Sequence, residues 1–266
     1  MSEITSRDNQ RIKYARKVRD GTVKNAIFVE GVRLAEEVLQ SDLKISDIFL
    51  TESLAQTERG HSFLKKTEYH FPVKVSDKIF DLISDTKTSQ GVILLADKPA
   101  TGKKVVEVNL QNNAHAPLLV LLHQINNPMN LGAVLRTAEA ANVSGIITTK
   151  NSADAFSPKA LRGAMGASLR LPVWEHADFS EVLGWAKDKN FISVCADVNA
   201  EKSYTQIEWK AACLIVFGSE AHGLSPEERI QADESLIIPM SSAVESLNLA
   251  VACGIILFEA KRQRDE

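Results

Sequence analysis

The loop after the apolar run at residues 118–122, and an arginine on the helix beyond it, could bind a phosphate group. Residues 118–122 (LLVLL) predict a buried strand, and Asn130 beyond it is expected to cap a helix that carries Arg136. An arginine close to the end of a strand presents a planar fork of donors that fits phosphate oxygens. The alternative is an arginine exposed on a surface helix.

A glycine loop follows another predicted strand, residues 213–217. Two glycines, Gly218 and Gly223, enclose four residues as in a phosphate loop, but Leu224 stands where that motif needs its lysine. The dinucleotide pattern GxGxxG is also absent after the predicted strands. What remains is a loop whose glycines let the backbone approach a ligand closely. Glu220 inside it either acts in a site or bonds to neighbouring backbone N–H groups.

The last stretch of the chain places polar residues at the start of an apolar helix. Residues 236–240 predict a strand, and Ser242 and Glu245 have the spacing of a capping box. Ser246 and Asn248 follow, just before apolar residues at helical spacing. They supply either a second cap or a site built on the helix N-terminus.

The elements that must position these residues fall into two α/β regions. Strands and helices alternate over residues 1–98, and strands recur from residue 117 onward. Residues 97–104 and 112–117 are polar and rich in turn formers, so residues 99–116 are expected to be a linker. We therefore expect a small α/β domain, a linker and a second α/β domain. In an open α/β sheet the loops at the carboxyl ends of the strands bind ligands, and the polar stretches occupy such loops.

Composition excludes several classes of protein. The 266 residues carry a net charge of -3, so a nucleic-acid surface must be local. No apolar run is long enough to span a membrane, the first ten residues lack the apolar core of a signal peptide, and three separated cysteines favour buried thiols in a reducing compartment over a metal site or disulfides. These features predict a cytoplasmic protein without metal.

One local excess of positive charge lies at the N-terminus. Residues 1–24 carry seven Lys or Arg against three acids, and these include Arg7, Arg11, Lys13 and Lys17. Such a run is typical of a solvated helix face, and the alternative is a set of contacts to RNA phosphates.

Three of these stretches together resemble one enzyme family. Residues 130–138 (NLGAVLRTA), 217–225 (FGSEAHGLS) and the pair IPM and SLN within 238–248 are similar, in order and spacing, to the three motifs of the SpoU (TrmH-like) RNA ribose methyltransferases of the SPOUT superfamily. Residues 28–33 (FVEGVR) resemble the opening of the substrate-binding domain that precedes many such enzymes. Asn127, where the family commonly has aspartate, and Ser241 and Ser242, where glycine is frequent, depart from its pattern.

The resemblance implies a fold that patterning does not reveal. It implies a C-terminal SPOUT α/β domain with a deep trefoil knot (residues 117–266), preceded by a small α/β (L30e-like) domain that binds RNA (residues 1–98). It also implies a homodimer formed through the C-terminal domain, with S-adenosylmethionine bound in the knot.

The resemblance also implies roles for individual residues. Cofactor contacts are expected at Gly218, Ile238, Met240 and Leu247, catalytic roles at Asn130, Arg136, Glu220, Ser246 and Asn248, and RNA contacts at Arg7, Arg11, Lys13, Lys17 and Arg33. Because guanidinium stays protonated, we expect Arg136 to grip a phosphate and stabilise negative charge rather than act as a base.

The implied reaction is transfer of a methyl group to a ribose 2′-hydroxyl in ribosomal RNA. Alternatives are a transfer-RNA ribose methyltransferase, a base methyltransferase, and a non-catalytic RNA-binding or ribosome-assembly protein with the same knot. A nucleotide-dependent enzyme is disfavoured because the phosphate-loop lysine is absent.

Overall fold

A computed structural model describes residues 3–112 and 115–266, with Glu68 described by its backbone alone. Two compact units are present. The first contains residues up to Pro99 together with Phe156–Leu169, and the second contains Ala100–Ala155 and Arg170–Glu266.

The secondary-structure elements are named here in chain order. The strands are β1 (Glu3–Ile4), β2 (Ala26–Glu30), β3 (Ile45–Leu50), β4 (Val73–Val75), β5 (Val92–Asp97), β6 (Leu118–Leu122), β7 (Gly145–Thr149), β8 (Val173–Ala177), β9 (Ile192–Ala196), β10 (Cys213–Phe217) and β11 (Glu234–Leu236). The helices are α1 (Gln10–Arg19), α2 (Val32–Leu39), α3 (Glu52–Ala55), α4 (Glu58–Lys66), α5 (Asp77–Ile83), α6 (Lys103–Gln111), α7 (Pro128–Ala140), α8 (Pro158–Ala164), α9 (Ala167–Arg170), α10 (Phe179–Asp188), α11 (Pro226–Arg229) and α12 (Leu249–Asp265). Short 3-10 helices span Glu68–His70 and Tyr204–Gln206.

The first unit is built on a mixed sheet, in which the described strands have the order β1-β4-β3-β5-β2. β4 runs parallel to β1 and β3, whereas β5 pairs antiparallel with β2 and β3. Phe28, Phe49 and Phe80 are buried in the core between this sheet and its helices. Alternating apolar strands and helices thus produce the small α/β unit that the sequence predicts.

The second unit contains a parallel sheet, in which the described strands have the order β11-β9-β10-β6-β7-β8. β6 and β10 are buried along their whole length, as expected for central strands covered on both faces. The chain proceeds from β6 outward through β7 to β8, then crosses to β9 on the other side of β6, and β10 lies between β9 and β6. The order therefore reverses between β6 and β10, where open sheets form a ligand crevice at their carboxyl ends.

Half of the stretch that we expected to be a linker is instead a helix. α6 occupies residues 103–111, Val106 is buried in the core of the second unit, and the Asn109 side chain donates a hydrogen bond to the carbonyl of Ser144 over 2.8 Å. The polar and turn-forming residues on either side concealed this helix, although Val105, Val106, Val108 and Leu110 give it an apolar side.

The helix that follows β6 starts earlier than predicted. Its N-cap is Asn127, whose side chain accepts a hydrogen bond from the Met129 N–H over 2.9 Å, and Pro128 occupies the first helical position. Asn130 therefore lies in the first turn of α7, and the expectation that it caps the helix is wrong.

The last strand and the last helix also differ from the prediction. β11 ends at Leu236 rather than continuing to residue 240, and Pro239 in the predicted strand has no N–H to donate to a neighbour. α12 begins only after Asn248, whose side chain accepts from the Ala250 N–H over 2.9 Å. The capping box predicted for Ser242 and Glu245 does not form, because these residues lie outside the helix.

The α/β class and the parallel sheet are confirmed, whereas the knotted path of the C-terminal residues stays a prediction. The three cysteines are free and buried, and burial raises the pKa of the Cys195 and Cys213 thiols to about 11, so both are neutral at physiological pH. Across the described residues, no helix is both long and apolar enough to cross a membrane.

Candidate active site

The glycine loop after β10 is closed by its own backbone. The N–H of Ser219 donates to the Gly223 carbonyl over 3.0 Å, and the N–H of Gly223 donates back to the Ser219 carbonyl over 2.9 Å. A Cβ atom on Gly218 would lie 2.2 Å from the Gly223 carbonyl carbon and 2.4 Å from the Leu224 nitrogen. Glycine at 218 is therefore required by the loop's own close approach, in addition to any approach by a ligand.

Glu220 connects this loop to the start of α7. One carboxylate oxygen accepts a hydrogen bond from the Asn130 side-chain amide, and the other accepts from the Asn127 N–H over 3.2 Å. Negative charge is favoured at a helix N-terminus, where N–H groups are unpaired. Glu220 thus bonds one backbone N–H, as one alternative expected, but both of its partners lie about ninety residues away along the chain.

Asn248 connects these hydrogen bonds to the last helix. Its side-chain nitrogen donates to the side-chain oxygen of Asn130 over 3.2 Å, while its own oxygen caps α12. Asn248 is thus both a helix cap and a hydrogen-bond partner of Asn130. A continuous path, Glu220–Asn130–Asn248, joins the three motif stretches.

A cavity of about 640 Å³ opens beside this path, at the carboxyl ends of β9, β10 and β11. Its walls contain eight of the nine residues expected to bind the cofactor or act in catalysis. These are Asn130, Gly218, Glu220, Ile238, Met240, Ser246, Leu247 and Asn248.

Arg136 is the exception. It lies six residues beyond Asn130 on α7, is exposed, and does not line the cavity. No hydrogen bond or ion pair joins it to another residue in the described part of the chain. The structure thus places Arg136 on a free surface of α7, apart from the other eight residues.

Sequence reasoning missed one wall of the cavity, formed by residues 197–199 and Arg229. Arg229 donates from Nη1 to Oδ2 of Asp197 over 2.5 Å, and the Asn199 N–H donates to Oδ1 over 3.0 Å. Burial raises the pKa of Asp197, but these hydrogen bonds outweigh it and hold the pKa below its usual value. The sequence signal for Asp197 was its position directly after residues 191–196 (FISVCA), which have the pattern of a strand and would end at the same sheet edge as the glycine loop.

α11 is held against the end of β6 by a buried histidine. Ser225 and Glu228 form the capping box that their spacing predicts, and the Glu228 carboxylate also lies 2.9 Å from Nε2 of His123. The other ring nitrogen of His123 lies 3.1 Å from the Thr149 hydroxyl. His123 is only 6% exposed, so it supports the wall that carries Arg229 rather than facing solvent.

The residues expected to contact RNA divide into two groups. Arg11 pairs with Asp47 at 2.5 Å and Lys13 with Asp8 at 3.1 Å. Arg7, Lys17 and Arg33 are exposed and form no hydrogen bond or ion pair with the residues that the structure describes. α1 buries Ile12, Ala15 and Val18, so its cations lie on the outer face of an anchored helix.

Comparison with known proteins gives a consistent result. Residues 117–258 match the SpoU rRNA Methylase family, and residues 9–94 match the MRM3-like substrate binding domain. The chain belongs to the SpoU rRNA methylase family. The cavity and the Glu220–Asn130–Asn248 path both lie in the part of the chain that this family covers.

Individual relatives extend the match over most of the chain. The chain is 31% identical to the 23S rRNA (guanosine-2'-O-)-methyltransferase RlmB of Acinetobacter baylyi, over 72% of this chain and 78% of that protein. It is 29% identical to the mitochondrial rRNA methyltransferase 3 of Xenopus laevis, over 89% of this chain and 69% of that protein. An AdoMet-bound rRNA methyltransferase from Sinorhizobium meliloti superposes with a TM-score of 0.81 at 26% identity, covering 98% of this chain and 97% of its own.

Metal-ligating side chains do not converge at this site. Over residues 3–112 and 115–266, no three His, Cys, Asp or Glu side chains are grouped so that they could hold a metal ion.

Proposed function

We propose that this protein transfers a methyl group from S-adenosyl-L-methionine to a ribose 2′-hydroxyl, with ribosomal RNA as the substrate. The observation that carries the proposal is the meeting of the three family motifs around one cavity. Relatives named for 2'-O-methylation of 23S rRNA and an AdoMet-bound structural neighbour support the reaction and the cofactor.

The cavity suits this cofactor in size and in chemistry. Its volume of about 640 Å³ lies within the range of small-molecule sites, roughly 300–1,000 Å³. Ile238, Met240 and Leu247 offer apolar walls to an adenine ring, while Glu220 and Asp197 place carboxylates in a cavity that would hold a sulfonium cation. When bound, the cofactor supplies an electrophilic methyl group.

The residues of the chain have the task of orienting the acceptor hydroxyl and accommodating its negative charge. A ribose hydroxyl is a poor nucleophile, so positioning and stabilisation of developing charge dominate the catalysis. We assign positioning to Asn130, Ser246 and Asn248, whose amide and hydroxyl groups face the cavity beside Glu220. We assign to Arg136 the grip on the adjacent phosphate and the stabilisation of oxyanion charge.

A homodimer is part of this proposal, because Arg136 does not reach the cavity within one subunit. Met129 and Arg136 are seven residues apart and share one face of α7, and Met129 is 51% exposed. On the adjacent α12, Val251 and Phe258 are likewise seven residues apart and half-exposed. A second subunit packed on these apolar side chains would cover α7 next to Arg136.

The dimer has its own test. Replacing Phe258 with aspartate should yield monomers in sedimentation experiments and remove methyl transfer. A monomeric wild-type protein that methylates RNA at full rate would contradict the dimer and leave the reaction standing.

The first unit is proposed to hold the RNA. Arg7, Lys17 and Arg33 are free for phosphates, whereas Arg11 and Lys13 must first leave carboxylate partners. An RNA substrate and buried free thiols both favour a cytoplasmic location, which we propose for this protein.

The decisive experiment is a calorimetric titration with S-adenosylmethionine, with ATP and NAD as controls. We expect binding near one site per chain for the methyl donor alone. Ribosomal RNA treated with protein and cofactor should then yield a 2'-O-methylated nucleoside on digestion. A methyl group on a base would replace ribose transfer by base transfer, and no binding with or without RNA would favour a non-catalytic RNA-binding protein.

A further inference from the structure

Two aromatic side chains of the first unit stand almost fully in solvent. Tyr69 is 86% exposed and Phe71 is 83% exposed, and they lie two residues apart after α4. Large aromatic side chains are ordinarily buried, so two neighbouring ones held outside the core indicate a surface that meets something else. Among the described residues, neither ring packs against another aromatic ring.

The backbone holds Phe71 in this position at a cost. Phe71 has φ 48° and ψ 58°, a left-handed conformation that bulky residues rarely adopt, and Pro72 follows it. A residue before proline is normally extended, so two local preferences are overridden here. Strain of this kind is often retained where it presents a side chain for function.

The charges around the pair suit an anionic partner. Residues 59–74 contain Arg59, Lys65, Lys66 and Lys74 and a single acidic residue. Lys66 and Arg59 share the Glu36 carboxylate at 2.7 and 3.6 Å, and Lys74 pairs with Glu52. Lys65 is exposed, four residues before Tyr69, and pairs with no residue in the described ranges.

We infer that Tyr69 and Phe71 form a stacking site for unpaired RNA bases, with Lys65 contacting the backbone phosphate. Exposed aromatic rings flanked by cations are the means by which proteins hold single-stranded nucleic acid, because each base offers a ring face whatever its identity. The inference rests on the proposed RNA substrate and names residues other than the cations of α1.

The test is binding of a fluorescent twelve-nucleotide oligoadenylate to the full-length protein. Tyr69→Ser and Phe71→Ser should each weaken binding about 5- to 150-fold, the range measured when one stacking side chain is removed. Tyr69→Phe keeps the ring and should bind as wild type does. Ile230→Ser is the matched control, because Ile230 is 82% exposed in the second unit and should not affect RNA binding.

A second variant separates binding from folding. Phe71→Gly removes the ring and relieves the left-handed strain, so it should unfold at the same or a higher temperature yet bind the oligonucleotide as weakly as Phe71→Ser. Wild-type affinity in both serine variants overturns the inference, as does an equal loss in Ile230→Ser. If the serine variants change the number of subunits in the assembly without losing RNA affinity, the pair would be assigned to a protein contact instead.

Failure here is distinguishable from failure of the proposed function. Cofactor binding depends on the second unit, and Arg7, Lys17 and Arg33 remain to hold RNA for methyl transfer, so both activities would persist if the aromatic pair does not bind RNA.

Discussion

The side-chain amide of Asn248 donates to the side-chain oxygen of Asn130 over 3.2 Å, although 118 residues separate them. Asn130 donates in turn to Glu220, so one neutral amide lies between a carboxylate and the cap of the last helix. This arrangement orients all three side chains at the rim of the cavity without placing two like charges together.

Replacing Asn130 with aspartate should disrupt that arrangement. A second carboxylate would face Glu220, and the donor to Glu220 would be lost. Because a hydrogen bond to a charged group contributes about 1.5–3 kcal/mol, we expect methyl transfer to fall about 10- to 100-fold in single-turnover measurements. Asn25→Asp is the control, since it introduces the same charge at an exposed position of the first unit that does not line the cavity. Equal rates in Asn130→Asp and wild type would remove Asn130 from the site.

The Arg136→Lys exchange tests whether the planar fork of arginine matters. Arg136 is exposed and free of contacts among the described residues, so thermal stability should not change. The lysine keeps the charge but loses bidentate phosphate binding, and we expect the turnover rate to fall roughly tenfold or more. The same exchange at Arg262, which pairs with Glu259 in the last turn of α12, should leave turnover unchanged. Full turnover in Arg136→Lys would mean that charge alone suffices.

Gly218→Ala should damage both stability and cofactor binding. Its Cβ would lie 2.2 Å from backbone at Gly223, which cannot move aside as a flexible side chain would. We expect a loss of about 1–3 kcal/mol in unfolding free energy and no measurable cofactor binding by calorimetry. Gly184→Ala is matched in size, and nothing lies within 4 Å of its Cβ. It sits in α10 and should be neutral or stabilising by up to about 1 kcal/mol. Cofactor binding retained in Gly218→Ala would show that the loop can open without loss.

Glu30 gives a prediction about pH. Burial raises the pKa of this carboxyl, but hydrogen bonds from Ser84, Thr86 and the Asp85 backbone outweigh burial and lower it below the usual value. A lowered folded-state pKa means that the contribution to stability is present above the ordinary glutamate pKa and is lost as the pH falls through the folded-state value.

The matched variant is Glu30→Gln. Loss of the charged acceptor should cost about 1–3 kcal/mol at pH 7. The difference from wild type in urea unfolding should stay constant down to about pH 5 and shrink below about pH 4. A difference that grows on acidification would contradict the lowered pKa.

The cations of α1 predict a difference in salt dependence. Lys17 is free for phosphate, so Lys17→Gln should reduce the slope of log affinity against log salt by about 0.7–0.9 in RNA-binding titrations. Arg11 pairs with Asp47, whose side chain is 11% exposed, so Arg11→Gln should lower stability more than it changes that slope. RNA binding that does not respond to salt would remove α1 from the RNA surface.

Local pattern was sufficient for the elements whose burial is uniform. Residues 118–122 and 213–217 form strands with the predicted bounds, because each is a continuous apolar run that is buried along its whole length. The Ser225–Glu228 capping box was equally predictable, since both partners lie within one turn.

The resemblance to a known family predicted that residues 130–138, 217–225 and 238–248 would lie together. The hydrogen bonds between them could not be predicted from the sequence. The partner of the Asn130 side chain is Glu220, which comes from a loop ninety residues later. The Asp197–Arg229 pair and the burial of Val106 likewise depend on partners far along the chain. Residue order and spacing determined the family, the elements and most of the site residues. Tertiary structure decided which polar groups satisfy one another, because that choice depends on distances between segments that local periodicity does not encode.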